Sequence, residues 1–300
     1  MNATKRTDGY GSASMDPMRR TCFYHAGCPD GFGAAWAVWR VWGDVAAYVA
    51  CGHDDPLQVR DHEGDLVVFV DIAPDNASLL GLLGHAAQVV VLDHHVSSRA
   101  RYERDPELAR EVRAGGHLVR FDLEHSGAVL AWQHFHPGEP VPGLLRYVED
   151  QDLWRWKLPR SEEVTAAVAS HPRQFEVWDV LASTSVEKLA DEGVALVRAN
   201  HTEVERALHQ SHPVWLGKRR IEAVNAQHLR SWIGHELAKR ASFGRAWGLV
   251  YRLLGDRVDA SLYSIGDDDV SAVAAEWGGG GHRNAAGFSV PLERWLREFV

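Results

Sequence analysis

Three short apolar runs, at residues 22–24, 66–70 and 89–92, each break off at a group that apolar surroundings tolerate poorly: His25, Asp71 and Asp93. Runs of this length, separated by stretches with helical spacing, are the pattern of strands buried on both faces of a parallel α/β sheet. They are far shorter than the roughly 20 apolar residues that a membrane helix needs. In an open α/β sheet the ligand crevice lies beyond the carboxyl ends of the strands. The sequence therefore predicts a parallel sheet that gathers His25, Asp71 and Asp93 along one edge.

The remaining pattern predicts an α/β chain in which this parallel-sheet domain is followed by a smaller mixed α/β domain, with a cleft between them. Residues 1–19 mix Gly, Ser, Asp and Lys without an apolar segment and read as a disordered leader rather than a signal peptide. The first domain spans 20–185, a linking helix 186–212, and the second domain 213–300. Trp36, Trp39 and Trp42, at steps of three, fall along one side of a helix at 34–42 and read as core, not as a base-stacking stripe. Helical spacing also marks 161–185, 186–210, 229–241 and 270–277, and strands are expected at 219–225, 246–253 and 258–264.

At 300 residues, 45% apolar and 24% charged, the chain suits two globular domains. A formal charge of -9 argues against a broad basic surface for long duplex DNA and favours a small or single-stranded phosphate substrate gripped locally. Cys22, Cys28 and Cys51 form no CxxC or zinc-ribbon spacing, which fits a reducing cytoplasm.

Five constellations carry chemistry. His25 and Asp30 share one tight loop, where they converge on a cation or simply pair with each other. Asp71 ends a strongly apolar run, as a ligand or as the cap of the next helix. Asp93-His94-His95 puts an acid and two imidazoles at the mouth of a buried strand, which is costly unless they are paired or bind a metal. Glu149-Asp150-Gln151-Asp152 is either a solvated acidic turn or a source of one more ligand. Gly278-Gly279-Gly280-Gly281-His282-Arg283-Asn284 lets backbone N–H groups approach an anion, with Arg283 as a charged fork; a plain flexible loop would not need that sequel.

In this order, ending in GGGGHRNAAGF, these motifs resemble the DHH phosphoesterase superfamily with its DHH-associated C-terminal domain, and the resemblance runs from about Cys22 onward. That superfamily includes RecJ-like exonucleases, nanoRNases, cyclic dinucleotide phosphodiesterases, pyrophosphatases and exopolyphosphatases. The resemblance implies two divalent cations, usually manganese with magnesium as the alternative. Asp71 would bridge them, His25 would bind one, and Asp30, His94 and Asp150 the other, with Cys28 and Asp152 as further candidates. His95 would face the substrate phosphate and Asp93 would orient the histidines. Gly279, Gly280, Gly281, His282, Arg283 and Asn284 would hold the substrate. The expected activity is hydrolysis of short oligonucleotides or (cyclic) dinucleotides; a pyrophosphatase or exopolyphosphatase, and a non-catalytic nucleotide-binding module, are the alternatives. Two positions depart from the pattern: Cys28 stands where the commonest motif has an aspartate, and Tyr263 where relatives often carry an arginine.

Overall fold

The computed structural model describes residues 18–52 and 55–300, so the leader expected at 1–19 lies, save for its last two residues, outside them. The first sheet is built from β1 (Arg20–His25), β2 (Ala47–Cys51), β3 (Leu66–Val70), β4 (Gln88–Asp93) and β5 (Leu118–Phe121). All its pairings are parallel, in the order β2-β1-β3-β4-β5. The central runs are continuously apolar because alternate residues enter opposite cores. Cys22, Val68, Val70, Val90 and Leu92 face one side, and Phe23, Val67, Phe69, Val89 and Val91 the other.

Helices cover both faces. On the first pack α1 (Pro29–Trp42), α5 (Gly127–Phe135) and α6 (Gly143–Asp152), and on the second α2 (Asn76–Leu83) and α4 (Pro106–Ala114); α3 (Val96–Glu103) follows β4. Trp36 and Trp42 are buried, and Trp39 packs half-buried against the same core, as their spacing predicts. The helical region expected at 161–185 is two helices, α7 (Ser161–Ser170) and α8 (Phe175–Ser183). His171-Pro172 divides them, because the residue before a proline is driven out of helical backbone.

The bridge is α9 (Val186–Leu208), whose Ser185 cap accepts from Lys188 N. Its 23 residues span about 35 Å. Leu189 and Ala190 belong to the first core, and Val204 and Leu208 pack against the second sheet.

That sheet is mixed. Its strands are β6 (His212–Leu216), β7 (Arg219–Asn225), β8 (Trp247–Leu254), β9 (Arg257–Ser264), β10 (Gly280–His282) and β11 (Ala285–Pro291), in the order β10-β11-β9-β8-β7-β6 with only β7 and β8 parallel. Helices α10 (Arg230–Arg240), α11 (Val270–Ala275) and α12 (Leu292–Glu298) complete this lobe. Gly234 admits the Tyr263 ring against α10: a Cβ there would lie 1.9 Å from Tyr263 Cδ2. Among the described residues no helix is long and apolar enough to cross a membrane.

Candidate metal centre between the lobes

The carboxyl ends of β1, β3 and β4, neighbours in the sheet, deliver His25, Asp71 and Asp93 to one place, and the residues that follow complete the cluster. Asp71 sits at φ 59°, a left-handed conformation that aspartate reaches more readily than most residues and that often marks functional sites. It does not cap a helix. Asp75 does that for α2, accepting from Ala77 N and Ser78 N. Asp71 instead turns both oxygens into the cluster. Its Oδ2 lies 3.4 Å from His25 Nδ1 and 3.4 Å from Cys28 Sγ, while its Oδ1 lies 2.9 Å from His94 Nε2.

Of the four groups among the described residues whose ligand atoms lie within 4.8 Å of one another, two flank this carboxylate on opposite sides: His25, Cys28 and Asp71, and then Asp30, His94 and Asp152. Asp30 is held by the start of α5, taking Gly127 N on Oδ2 at 2.7 Å and Ala128 N on Oδ1 at 3.0 Å. His94 Nε2 is 3.6 Å from Asp30 Oδ2 and 3.5 Å from Asp152 Oδ2. Of the two acids in the α6 turn, it is Asp152 that reaches the cluster. Asp150 turns the other way, its carboxylate accepting from Lys157 N at 2.9 Å and Leu158 N at 3.2 Å. Two helical steps of about 100° each separate the two side chains and put them on nearly opposite faces of α6, so they do not serve the same site.

Asp93 organises the histidines. Its Oδ1 accepts from His94 N, His95 N and, at 2.7 Å, His95 Nδ1. The second lobe closes over them with His282, whose ring lies 4.6 Å from both the His94 and His95 rings, within 22° of parallel to the latter. Gly281 N donates to Ser97 Oγ at 3.1 Å, tying β10 to α3.

The glycine run is therefore a strand and turn. Gly278 N and Gly279 N donate to Ala275 O and Ala274 O, Gly280 and Gly281 lie in register with β11, and Gly281 N is the donor to Ser97 Oγ. Arg283 and Asn284 occupy the two-residue turn between β10 and β11. Arg283 donates to Asp267 O, and Asn284 Nδ2 to Ser264 Oγ at 2.9 Å and Gly266 O at 3.1 Å. They brace the neighbouring loop. Tyr263 is buried, its hydroxyl 3.4 Å from Ser231 Oγ, and nearby Arg230 donates to Ser261 Oγ. No sequence motif marked Arg230 or Ser97.

The charges demand compensation. Burial, then Asp71 and Asp152, push the Asp30 carboxyl well above its ordinary range, and Asp152 is raised chiefly by burial as well. Burial opposes a charge on His94, but its contact with Asp71 and the charges of Asp152, Asp71 and Asp30 lift it to about 10. Asp71 Oδ1 is buried with no donor aligned to it. Divalent cations satisfy all of these at once, and oxygen, imidazole and one thiol are ligands they accept. Uptake at pH 7 is expected to release protons, since a His94 with a raised pKa is protonated there and must become neutral to bind. Calorimetry in two buffers of different ionisation enthalpy measures this; buffer-independent heats would contradict it.

Sequence reasoning also missed Gly127, whose only signal was the Ser126 cap ahead of α5. A Cβ there would stand 2.3 Å from Asp71 Cβ. Gly127→Ala must displace Asp71, and we expect manganese affinity to fall by about 10- to 100-fold, as for other supports of metal ligands. A manganese titration checks it, and unchanged affinity in a folded variant would refute it.

No protein-family model matches the chain. It is 27% identical over 289 residues to an uncharacterized protein of Acanthamoeba polyphaga mimivirus, a match covering 89% of this chain and 66% of the viral protein. This chain thus spans about two thirds of that relative's length. Among solved structures it is similar to a pGpG-specific phosphodiesterase, PggH, from Vibrio cholerae, at 12% identity and TM-score 0.42 over 93% of this chain and 95% of the other. It is also similar to an exopolyphosphatase-related protein from Bacteroides fragilis, at 11% identity and TM-score 0.38 over 90% and 86%.

Proposed function

We propose that the chain is a metal-dependent phosphoesterase of the DHH type that hydrolyses diester bonds in short oligonucleotides or (cyclic) dinucleotides. The observation that carries this reading is Asp71: one buried carboxylate presents Oδ2 to His25 and Cys28 and Oδ1 to His94, so it links one ligand set to the other. In this reading Asp152 replaces Asp150 among the ligands, beside His25, Cys28, Asp30, Asp71 and His94.

A divalent pair, when bound, supplies an activated water and neutralises charge on the phosphate as attack proceeds. The chain's own residues do the rest. Asp93 grips His95 through Nδ1 and so orients the ring that would serve a phosphate or leaving-group oxygen. His282 enters from the other lobe, where burial, then His95 and His94, hold its pKa well below the usual imidazole range. A neutral ring there completes the phosphate side of the cleft without adding a second cation. The Gly281–Ser97 hydrogen bond joins the lobes beside the cluster, and that contact would help to keep water out.

The test is turnover of pApA, a cyclic dinucleotide, pyrophosphate and an inorganic polyphosphate with manganese. Diester cleavage that disappears in His94→Ala supports the reading. Cleavage of pyrophosphate or polyphosphate alone would reassign the substrate, and bound metal without turnover of any of them would leave a nucleotide-binding module.

A further inference from the structure

The chain leaving Asp152 turns Trp154 and Trp156 toward the second lobe, where they meet Trp232 and His235 of α10. Trp154 stacks on His235 with ring centres 3.8 Å apart and planes within 15°. Trp232 lies 5.3 Å from Trp154 and 4.8 Å from Trp156. Both Trp154 and Trp156 have left-handed backbone, φ 53° and 50°, which bulky residues adopt only where the surroundings force it and which clusters at functional sites. His235 is buried, but all three tryptophans keep part of their surface open. With Leu158 they line a cleft of about 390 Å³, within the usual range for small-molecule sites.

A succession of side chains along the second sheet leads from the cation ligands toward this cleft. His282, Ala285 and Tyr263 are lateral neighbours across β10, β11 and β9. Tyr263 thus stands two strand spacings, about 10 Å, from His282, with Ala285 on the strand between them. His235 packs on Tyr263 at 5.4 Å. The charged lining includes Glu162, Glu163 and Glu236 against Arg160 and Lys239, so the cleft disfavours a phosphate and suits a neutral ring carrying amino donors.

Resting on the phosphodiesterase reading, we propose that this cleft is the base subsite: with a phosphate at the cation ligands, the nucleobase of the same nucleotide lies against Trp156 and Trp232. A contact that only joined the lobes would not need two strained tryptophans presenting open ring surface beside a cation ligand. The subsite makes the enzyme selective for nucleotides over polyphosphate chains.

The experiment uses the full chain with manganese. It compares AMP with ribose 5-phosphate in binding, and pApA with the same dinucleotide bearing an abasic unit in turnover. Base stacking predicts that the parent prefers the base-bearing member of each pair by about 5- to 150-fold. Trp232→Leu and Trp156→Ala lose that preference with ribose 5-phosphate binding unchanged, while Trp232→Phe, which fills the space and still stacks, keeps most of it. Equal affinity of the parent for AMP and ribose 5-phosphate overturns the subsite, as does a Trp232→Leu protein that retains the parent's ratio. Base-independent cleavage of the diester would remove the subsite and leave the phosphodiesterase. Base-dependent AMP binding without cleavage would support the subsite and remove the phosphodiesterase.

Discussion

Asp71→Asn is expected to lower turnover of a diester by about 10³-fold or more, the scale on which loss of one electrostatic stabiliser registers. The same substitution should abolish the stabilisation that manganese gives. Asparagine keeps the shape and tolerates the φ of 59° as aspartate does, so the backbone has no reason to move. What changes is that one of the two inward-facing oxygens becomes an amide NH₂. Whichever way it is oriented, one ligand set faces a donor instead of an acceptor. The measurement is the difference in melting temperature with manganese and with a chelator, taken within each variant. Any destabilisation from parting Asp71 and His94 then cancels. At a metal concentration of 100 Kd the parent should gain about 2.7 kcal/mol, and the variant little. A variant that keeps turnover within tenfold, or keeps the manganese gain, would remove Asp71 from the centre of the site.

The sheet was legible because physics leaves a strand buried on two faces little choice of residue. LVVFV and VVVLD can lie only where both sides are apolar, and the acids that end them can lie only where something compensates them. The edge strand β2 carries no such mark, since most of its residues are exposed and Ala-Tyr-Val-Ala-Cys fits several settings. Within the site, Asp93-His94-His95 was readable because the motif is local and rigid. Asp150 against Asp152 was not: both lie in one helical turn, and which of them faces His94 depends on how α6 is rotated against the sheet, a tertiary property. Arg283 and Asn284 were misplaced for a related reason. Glycines before them and alanines after them allow a loop or a two-residue hairpin equally well, and the hairpin turns both side chains toward 264–268. Trp154 and Trp156 gave no periodic signal, because their positions come from left-handed turns and not from a helix face.

Cys28 should make one half of the centre choose a different metal from the other. Asp30, His94 and Asp152 offer oxygens and one imidazole, a set for manganese or magnesium, whereas His25, Cys28 and Asp71 add sulfur, which favours zinc, cobalt or ferrous iron. Burial, then Asp71, Asp152 and Asp30, hold the Cys28 thiol well above its ordinary pKa, so it is protonated until a cation displaces the proton. Cys28→Asp isolates this choice cleanly. Cys28 caps α1 by accepting from Gly31 N at 3.2 Å, and aspartate is a better cap, so the helix keeps its start. With cobalt, the parent should show a sulfur-to-metal charge-transfer band in the near ultraviolet that is missing from Cys28→Asp and Cys28→Ser. Cys28→Asp should also bind manganese at this set about 10- to 100-fold more tightly than the parent, a change on the scale of other adjustments to metal sites. If the parent shows no such band and manganese titrates the parent and Cys28→Asp alike, the sulfur is only a helix cap, and the ligands at that half of the centre reduce to His25 and Asp71.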